Sequence, residues 1–545
     1  MIWSGSSNLP PSASLKSPIL AFFLARSINN SASQEENTNL DDFDLAVCYN
    51  ICMNWVKYVI AFLVPVAAVM VFHNSLDNDS WYVLAEGREI VENGIYYEDQ
   101  LSMHEGLEVT VQNYGFAAIF YLTYSVFGGV GIYIAMLILN GVLCYLIYKV
   151  CMLLSNKNVN LSLILMMLTD LLLSYSFITT RAQVVSYIIM MLVIYILELY
   201  IKTDKSKYLW WIPVLSLAQI NLHASLWPMI LLAIGVYILD GIKQPKLHLE
   251  GYRKKPLIVV GMMAFLVGFL NPYGVRMMTF ILTSYGVPEA NDYVNELKSF
   301  DLGSNFHILL YTMIAVVMVL YIFAKNKNIR VRWLLMLFGF LALGINTIKG
   351  MSQLILTLFF PMAAVYRNVR IEKWGTRKIR WMLGAWVGTL ALLTVVIYAA
   401  VMLPGVNMDG PSEEMITAID ILDREVGDVD KETLNIYVGY NEGGYLEYRG
   451  YKSYMDPRME VFIRSNNGKA DIFQEYYDFS KGKIEKDDFL ERYDFDYIVV
   501  REDERLYDLS NDEFELIYEK DDEENNASDD EFGEVFGVRI YKKNG

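Results

Sequence analysis

The sequence predicts a polytopic α-helical membrane protein of about eleven spans, followed by an extracytoplasmic α/β domain at the carboxyl terminus. Three observations carry this expectation. Apolar stretches recur through residues 54–404, the basic residues between them fall on alternate loops, and residues 405–545 are strongly acidic.

The spans are read at 54–74, 129–148, 159–178, 182–201, 208–223, 226–242, 256–272, 305–324, 331–346, 350–366 and 381–404. Several fall short of the roughly 20 residues that cross a hydrocarbon core, so one or two are expected to tilt or re-enter. Orientation follows from Lys and Arg, which resist translocation and collect on the cytoplasmic side. With the amino terminus inside, the inner loops hold twenty basic residues, and the outer loops between spans hold only Arg88, Arg181, Arg276, Lys298 and Lys349. An odd number of spans then places the last domain outside.

Residues 405–545 hold 38 Asp plus Glu against 17 Lys plus Arg, a net charge of −21 within a total of −17, which leaves +4 for residues 1–404. Such acidity argues against nucleic acid as a partner, because phosphate backbones require a basic footprint. Residues 405–545 are long enough for one independent core. The four cysteines, Cys48, Cys52, Cys144 and Cys151, all precede this domain, so no disulfide framework and no Cys/His metal cluster is expected there.

Residues 1–52 read as a separate tail, rich in Ser and Asn, with an acidic patch at 35–44 and an apolar run at 18–25 that is too brief to span. Two readings stand side by side: a disordered cytoplasmic tail, or translation beginning at Met53, where Asn54-Trp55-Val56-Lys57 opens a signal-anchor pattern. The membrane domain is then 53–404, with a long outer loop at 75–128 between its first two spans.

That loop carries the most informative chemistry. Ser80 to Asn93 reads SWYVLAEGREIVEN, whose apolar residues recur at helical spacing, with Asp79 or Ser80 as the amino-terminal cap and Gly94 behind. Asp77-Asn78-Asp79 therefore sits at a helix start beside the membrane. Two carboxylates at this spacing suit a divalent cation, or one suits a base toward a hydroxyl. Asp79 is equally explained as a helix cap worth about 1 kcal/mol. Asp170, inside the third span, is expected to face a cavity or a hydrogen-bonding partner. His223 closes the fifth span beside Gln219 and Asn221.

The outer domain alternates helix and strand patterns. Pro411–Val426 has helical spacing; Leu434–Tyr440, Tyr445–Tyr448, Tyr497–Arg501, Phe514–Tyr518 and Val535–Tyr541 read as strands, with Gly443-Gly444 as a tight connection. Residues 521–531 read as a solvated acidic loop.

In order along the chain come Asp77-Asn78-Asp79, Asp99-Gln100-Leu101-Ser102-Met103-His104-Glu105-Gly106, Gln112-Asn113-Tyr114, Arg181-Ala182-Gln183, Asn221-Leu222-His223 and Asn271-Pro272-Tyr273-Gly274. Asn441-Glu442-Gly443-Gly444-Tyr445-Leu446 and Met455-Asp456-Pro457-Arg458 follow in the outer domain. Together these resemble a bacterial branch of the C-type superfamily of polytopic membrane glycosyltransferases. The Gly-Gly-Tyr segment is distantly similar to the catalytic subunit of oligosaccharyltransferase, although the Trp-Trp-Asp of that subunit is absent here. The resemblance implies transfer of a sugar, with inversion, from a polyprenyl-phosphate carrier to an envelope acceptor at the outer face of the cell membrane. It gives Asp79 the role of base or metal ligand, with Asp77 beside it, a divalent Mg or Mn as the cation, and Glu105 as a further acid. Arg181, Arg276 and Lys349 become candidates for the lipid phosphate, with His104 and His223 as polar substrate contacts. Against this stand two other classes. A transporter or flippase of lipid-linked substrates predicts inverted repeats and broken helices at the midplane; a non-catalytic envelope scaffold predicts only a binding surface on the acidic domain.

Overall fold

In a computed structural model of the chain, residues 57–73, 75–241, 251–283, 330–367, 408–520 and 537–544 are described, with scattered positions from 298 to 317. The expected tail 1–52, the spans at 305–324 and 381–404 and the acidic loop 521–531 lie wholly or mostly outside the described residues.

The apolar patterns fold as helices: α1 Lys57–Phe72, α2 Asp79–Asn93, α3 Tyr114–Leu154, α4 Val159–Ser176, α5 Gln183–Thr203, α6 Trp211–Leu222, α7 Trp227–Asp240, α8 Lys255–Leu266, α9 Val275–Thr283, α10 Val331–Asn346, α11 Met351–Leu358 and α12 Phe360–Val365. Among the described residues, four stretches are long and apolar enough to cross a membrane, namely Tyr114–Leu154, Val159–Ser176, Gln183–Thr203 and Ile348–Val365. The apolar helices Lys57–Phe72, Ala224–Asp240, Lys255–Phe269 and Val331–Ile345 are shorter. Large apolar side chains face outward, among them Val126 at 70%, Phe127 at 68% and Leu266 at 62% exposure. Such a surface suits hydrocarbon and not water.

The second expected span begins earlier than 129. α3 is broken at Gly128, whose φ of 64° only glycine adopts without strain. The stretch before the break is an apolar helix in its own right, with Ile119, Leu122 and Val126 exposed, so the outer loop ends near Asn113. α2 also starts one residue before its expected run. Asn78 is the cap and makes no side-chain cap bond, while Gly94 closes the helix with φ 95° as expected.

Arg332 is buried between Glu198 at 2.6 Å and Asp240 at 2.9 Å, which ties α5, α7 and α10 together. Asp170 accepts hydrogen bonds from Cys144 Sγ at 3.0 Å and Ser174 Oγ at 3.1 Å. It is a satisfied packing residue between α3 and α4.

Among its described residues, the carboxyl-terminal domain forms a five-stranded sheet in the order β2-β1-β3-β5-β4, with β1 Asn435–Val438, β2 Lys452–Ser453, β3 Tyr497–Arg501, β4 Phe514–Lys520 and β5 Val538–Lys543. β1 runs parallel to β2 and β3, whereas β5 is antiparallel to both its neighbours. α13, Glu413–Val426, is capped by the Ser412 side chain. Tyr445–Tyr448 is a helix instead of the expected strand: α14 spans Gly443–Tyr448. The glycines are there for close approach. A Cβ on Gly443 would lie 2.0 Å from Met455 O, and one on Gly444 would lie 2.8 Å from Tyr82 N.

The first outer loop and the outer domain share one core. Tyr96, Leu107, Val109 and Val111 pack with Tyr437, Tyr454 and Phe462. Ser102 bridges β2 at Ser453 in parallel register, and Met103 N–H donates to Ser453 O at 2.9 Å. Trp81 of α2 is fully buried against Tyr445, with ring centroids 5.0 Å apart. Arg88 donates to the carbonyls of Glu447 and Tyr448 at 3.0 and 2.8 Å, capping the carboxyl end of α14.

Candidate functional site

Two turns meet where α1 gives way to α2 and α4 to α5. The Asp77 N–H donates to Thr180 Oγ1 at 3.1 Å, and Ser80 Oγ lies 2.6 Å from the same hydroxyl. These bonds set Arg181 against the paired carboxylates. Arg181 Nε donates to Asp77 Oδ1 at 2.7 Å, Nη2 lies 2.6 Å from the same oxygen, and Nη1 lies 3.0 Å from Asp79 Oδ2. The three side chains are 18–22% exposed, so the cluster is sheltered but reachable.

The two acids are not equivalent. Asp77 Oδ1 also accepts the Asp79 N–H at 3.0 Å, so one oxygen serves three donors and Asp77 works as a turn-former for α2. Asp79 meets the guanidinium through one Nη and stands at the helix start, where the dipole favours its charge.

Across this cluster stands Tyr82, half-buried, whose hydroxyl is pushed well up by burial and then by the charges of Asp79, Glu460 and Glu86. Glu460 belongs to the outer domain. Burial raises its carboxyl, opposed by its own backbone amide and by the Lys349 and Arg458 charges, and Gln112 donates to it at 3.3 Å. Lys349, in the turn Ile348–Gly350 between α10 and α11, is thus placed near the outer domain's acid.

Other expected site residues lie elsewhere. Arg276 pairs with Glu108 at 2.8 Å and donates to Asn466 O at 3.2 Å, so neither partner is Asp77 or Asp79. It lines a cavity of about 280 Å³ together with Glu108, Thr279, Glu460, Ser465 and Asn466. His104 and Glu105 border a separate open cleft of about 430 Å³ with Lys469, Glu475 and Tyr493. The His104 Nε2 is spent on Tyr454 O at 2.8 Å, and burial pushes its ring below the usual histidine range. His223 is buried, with Ser186 Oγ at 2.8 Å from Nδ1 and Ser225 Oγ at 2.9 Å from Nε2. Both ring nitrogens are occupied within the protein.

The expected pairing of Asp77 and Asp79 around a divalent cation meets a different arrangement. One oxygen of each acid, Asp77 Oδ1 and Asp79 Oδ2, is held by Arg181. Among the described residues no group of three or more His, Cys, Asp or Glu side chains is arranged to hold a metal ion. As folded, the pair holds the Arg181 guanidinium.

A second charged cluster, largely unforeseen, binds the loop to the outer domain. Arg458 reaches Asp99 and Asp456 at 2.7 Å, Glu447 at 3.5 Å and Glu86 at 3.8 Å, with all five side chains buried. Sequence offered Arg458 only as part of a short motif; Glu86, Tyr82 and Glu460 carried no signal beyond their helical or loop setting.

The fold and this cluster define a mostly helical membrane protein whose carboxyl-terminal α/β domain is clamped onto the loop between α1 and α3. Comparison with solved structures finds a likeness to the Archaeoglobus fulgidus oligosaccharyltransferase, crystallised in complex with Zn and sulfate. It has 12% identity and a TM-score of 0.45, and covers 81% of this chain and 68% of that one. No family model and no curated protein sequence matches the chain.

Proposed function

We propose that this chain is a membrane glycosyltransferase that moves a sugar from a polyprenyl-phosphate carrier to an envelope acceptor at the outer membrane face. The observation that carries the reading is the Asp77–Arg181–Asp79 cluster, two acids and a cation drawn from turns about a hundred residues apart and held together. An ion pair needed only for stability gains little from partial exposure. A base and a fixed positive charge side by side are what this transfer requires.

In this reading Asp79 takes the proton of the acceptor hydroxyl as that oxygen attacks the sugar's anomeric carbon. The bond from that carbon to the phosphate oxygen breaks, the electron pair leaves with the polyprenyl phosphate, and attack from the opposite face inverts the centre. Asp77 holds the Arg181 guanidinium and the start of α2. Positive charge at Arg181 and Lys349 faces the developing phosphate charge. The cavity of about 280 Å³ beside Glu460 offers hydroxyl-binding groups for a sugar or acceptor.

The test is transfer from a panel of polyprenyl-phosphate sugars by the purified full-length protein in proteoliposomes. Asp79→Asn is expected to lower turnover about 10²–10⁴-fold, the usual contribution of a positioned base. Unchanged turnover in a folded Asp79→Asn protein overturns the role of Asp79; no transfer from any donor overturns the reaction class.

A further inference from the structure

We infer that the Arg181 guanidinium stands in the place of a divalent cation, so that the Asp77/Asp79 site works without a metal. The inference rests on the functional reading above but concerns ligand binding, which is measured separately.

Three features argue it. First, the facing oxygens are taken: Asp77 Oδ1 carries Nε, Nη2 and the Asp79 N–H within 3.0 Å, and Asp79 Oδ2 carries Nη1 at 3.0 Å. A divalent Mg, Mn or Ca bridging the pair through these two oxygens, at roughly 2.0–2.6 Å, would compete with the guanidinium for their lone pairs. Second, a doubly charged ion within reach of those oxygens would sit against a guanidinium that cannot lose its proton, and like charges at such separation repel strongly in a sheltered site. Third, the guanidinium is not a stray surface contact. Its neighbour Thr180 is stitched to both Asp77 and Ser80, so the fold delivers the cation to the carboxylates.

What a metal would otherwise contribute, a fixed positive charge that bridges Asp77 and Asp79 and orients them, is supplied by the chain itself. Arginine suits this because its planar fork bridges two acids at once, which a lysine ammonium does only as a point charge.

The experiment is a Mn(II) titration of the full-length protein in nanodiscs, read by electron paramagnetic resonance and calorimetry. Wild type is expected to show no Asp77-dependent Mn(II) site at millimolar metal. Arg181→Met, which keeps length and removes charge, is expected to gain one site and to lose it again when combined with Asp77→Asn. Stoichiometric Mn(II) uptake by wild type that disappears in Asp77→Asn overturns the inference, and so does a folded Arg181→Met protein that takes up none. The wild-type titration stands even where a variant does not fold. Failure of sugar transfer with every donor would sink the functional reading and leave this titration unaffected.

Discussion

Arg458 Nη1 lies 2.7 Å from Asp99 Oδ1, joining the outer domain to a loop 359 residues earlier in the chain through a contact buried to 2% at the arginine. One guanidinium there faces four carboxylates. Burial alone would raise the Asp99 carboxyl, but Arg458 and the Ser102 amide outweigh it and hold it low. Glu447 is pushed well up by burial and by the Asp456 charge. The cluster therefore carries protons as well as charge.

Removing the guanidinium should be severe. Arg458→Met leaves Asp99 and Asp456 buried without their cation, and breaking such a network from one side costs about 3–5 kcal/mol. The expected result is a large fall in melting temperature and early tryptic cleavage between the loop and the outer domain. A melting temperature within a degree of wild type would contradict the clamp.

Glu86 gives the cluster a pH dependence. Burial raises its carboxyl from 4.5 to about 8, partly offset by Arg458. The folded state thus holds this proton more tightly than the unfolded chain. Its stabilising contribution is complete below pH 4.5 and is lost as pH climbs through about 8. Glu86→Gln, which keeps the shape and hydrogen-bonding capacity of the protonated acid, is expected to flatten the decline in melting temperature between pH 6 and 9. A variant with the wild-type pH slope would assign that decline to other groups.

Gly444 tests how closely the outer domain must sit on α2. A Cβ there would be 2.8 Å from Tyr82 N and 2.9 Å from Tyr82 Cβ, both too close for an unshifted chain. Gly444→Ala is expected to cost about 1–3 kcal/mol by overpacking. Denaturant unfolding measures the loss. Because Tyr82 is in the turn of helix after Asp79, turnover should fall with it.

Much of this arrangement was legible because hydropathy and charge act over long stretches. Four apolar runs became helices long enough to span, and four others became shorter apolar helices, since a hydrocarbon-facing backbone must satisfy itself internally. The charge pattern put Asp79 and Arg181 at matching ends of their segments, and the two side chains are in contact. Short-range features were read less well. Tyr445–Tyr448 looks β-prone from its aromatics, yet it continues a helix because Gly443 and Gly444 allow close packing on Met455 and Tyr82. Arg276 is diverted by Glu108, a residue whose spacing announced nothing. Single acids such as Glu86 and Glu460 gain their setting only when the outer domain folds back onto the loop, a contact no local pattern encodes.

Thr180 separates positioning from chemistry. Its Oγ1 accepts the Asp77 N–H at 3.1 Å and lies 2.6 Å from Ser80 Oγ, so it fixes the distance between the two turns without touching either acid's oxygens. Thr180→Val keeps the volume and removes the hydroxyl, leaving a backbone amide and a buried serine short of a partner, at a cost of about 1–3 kcal/mol. If Arg181 owes its place to this strap, the guanidinium loosens on Asp79 by a fraction of an ångström. Misplacement of about 1 Å costs up to roughly 10²-fold in rate. The expected signature is kcat down by about ten- to a hundredfold with KM for the lipid-linked donor nearly unchanged, and partial recovery in Thr180→Ser, which restores the hydroxyl. A lowered melting temperature with undiminished kcat would make the strap a purely structural bond and remove the reason for reading the Arg181 placement as functional.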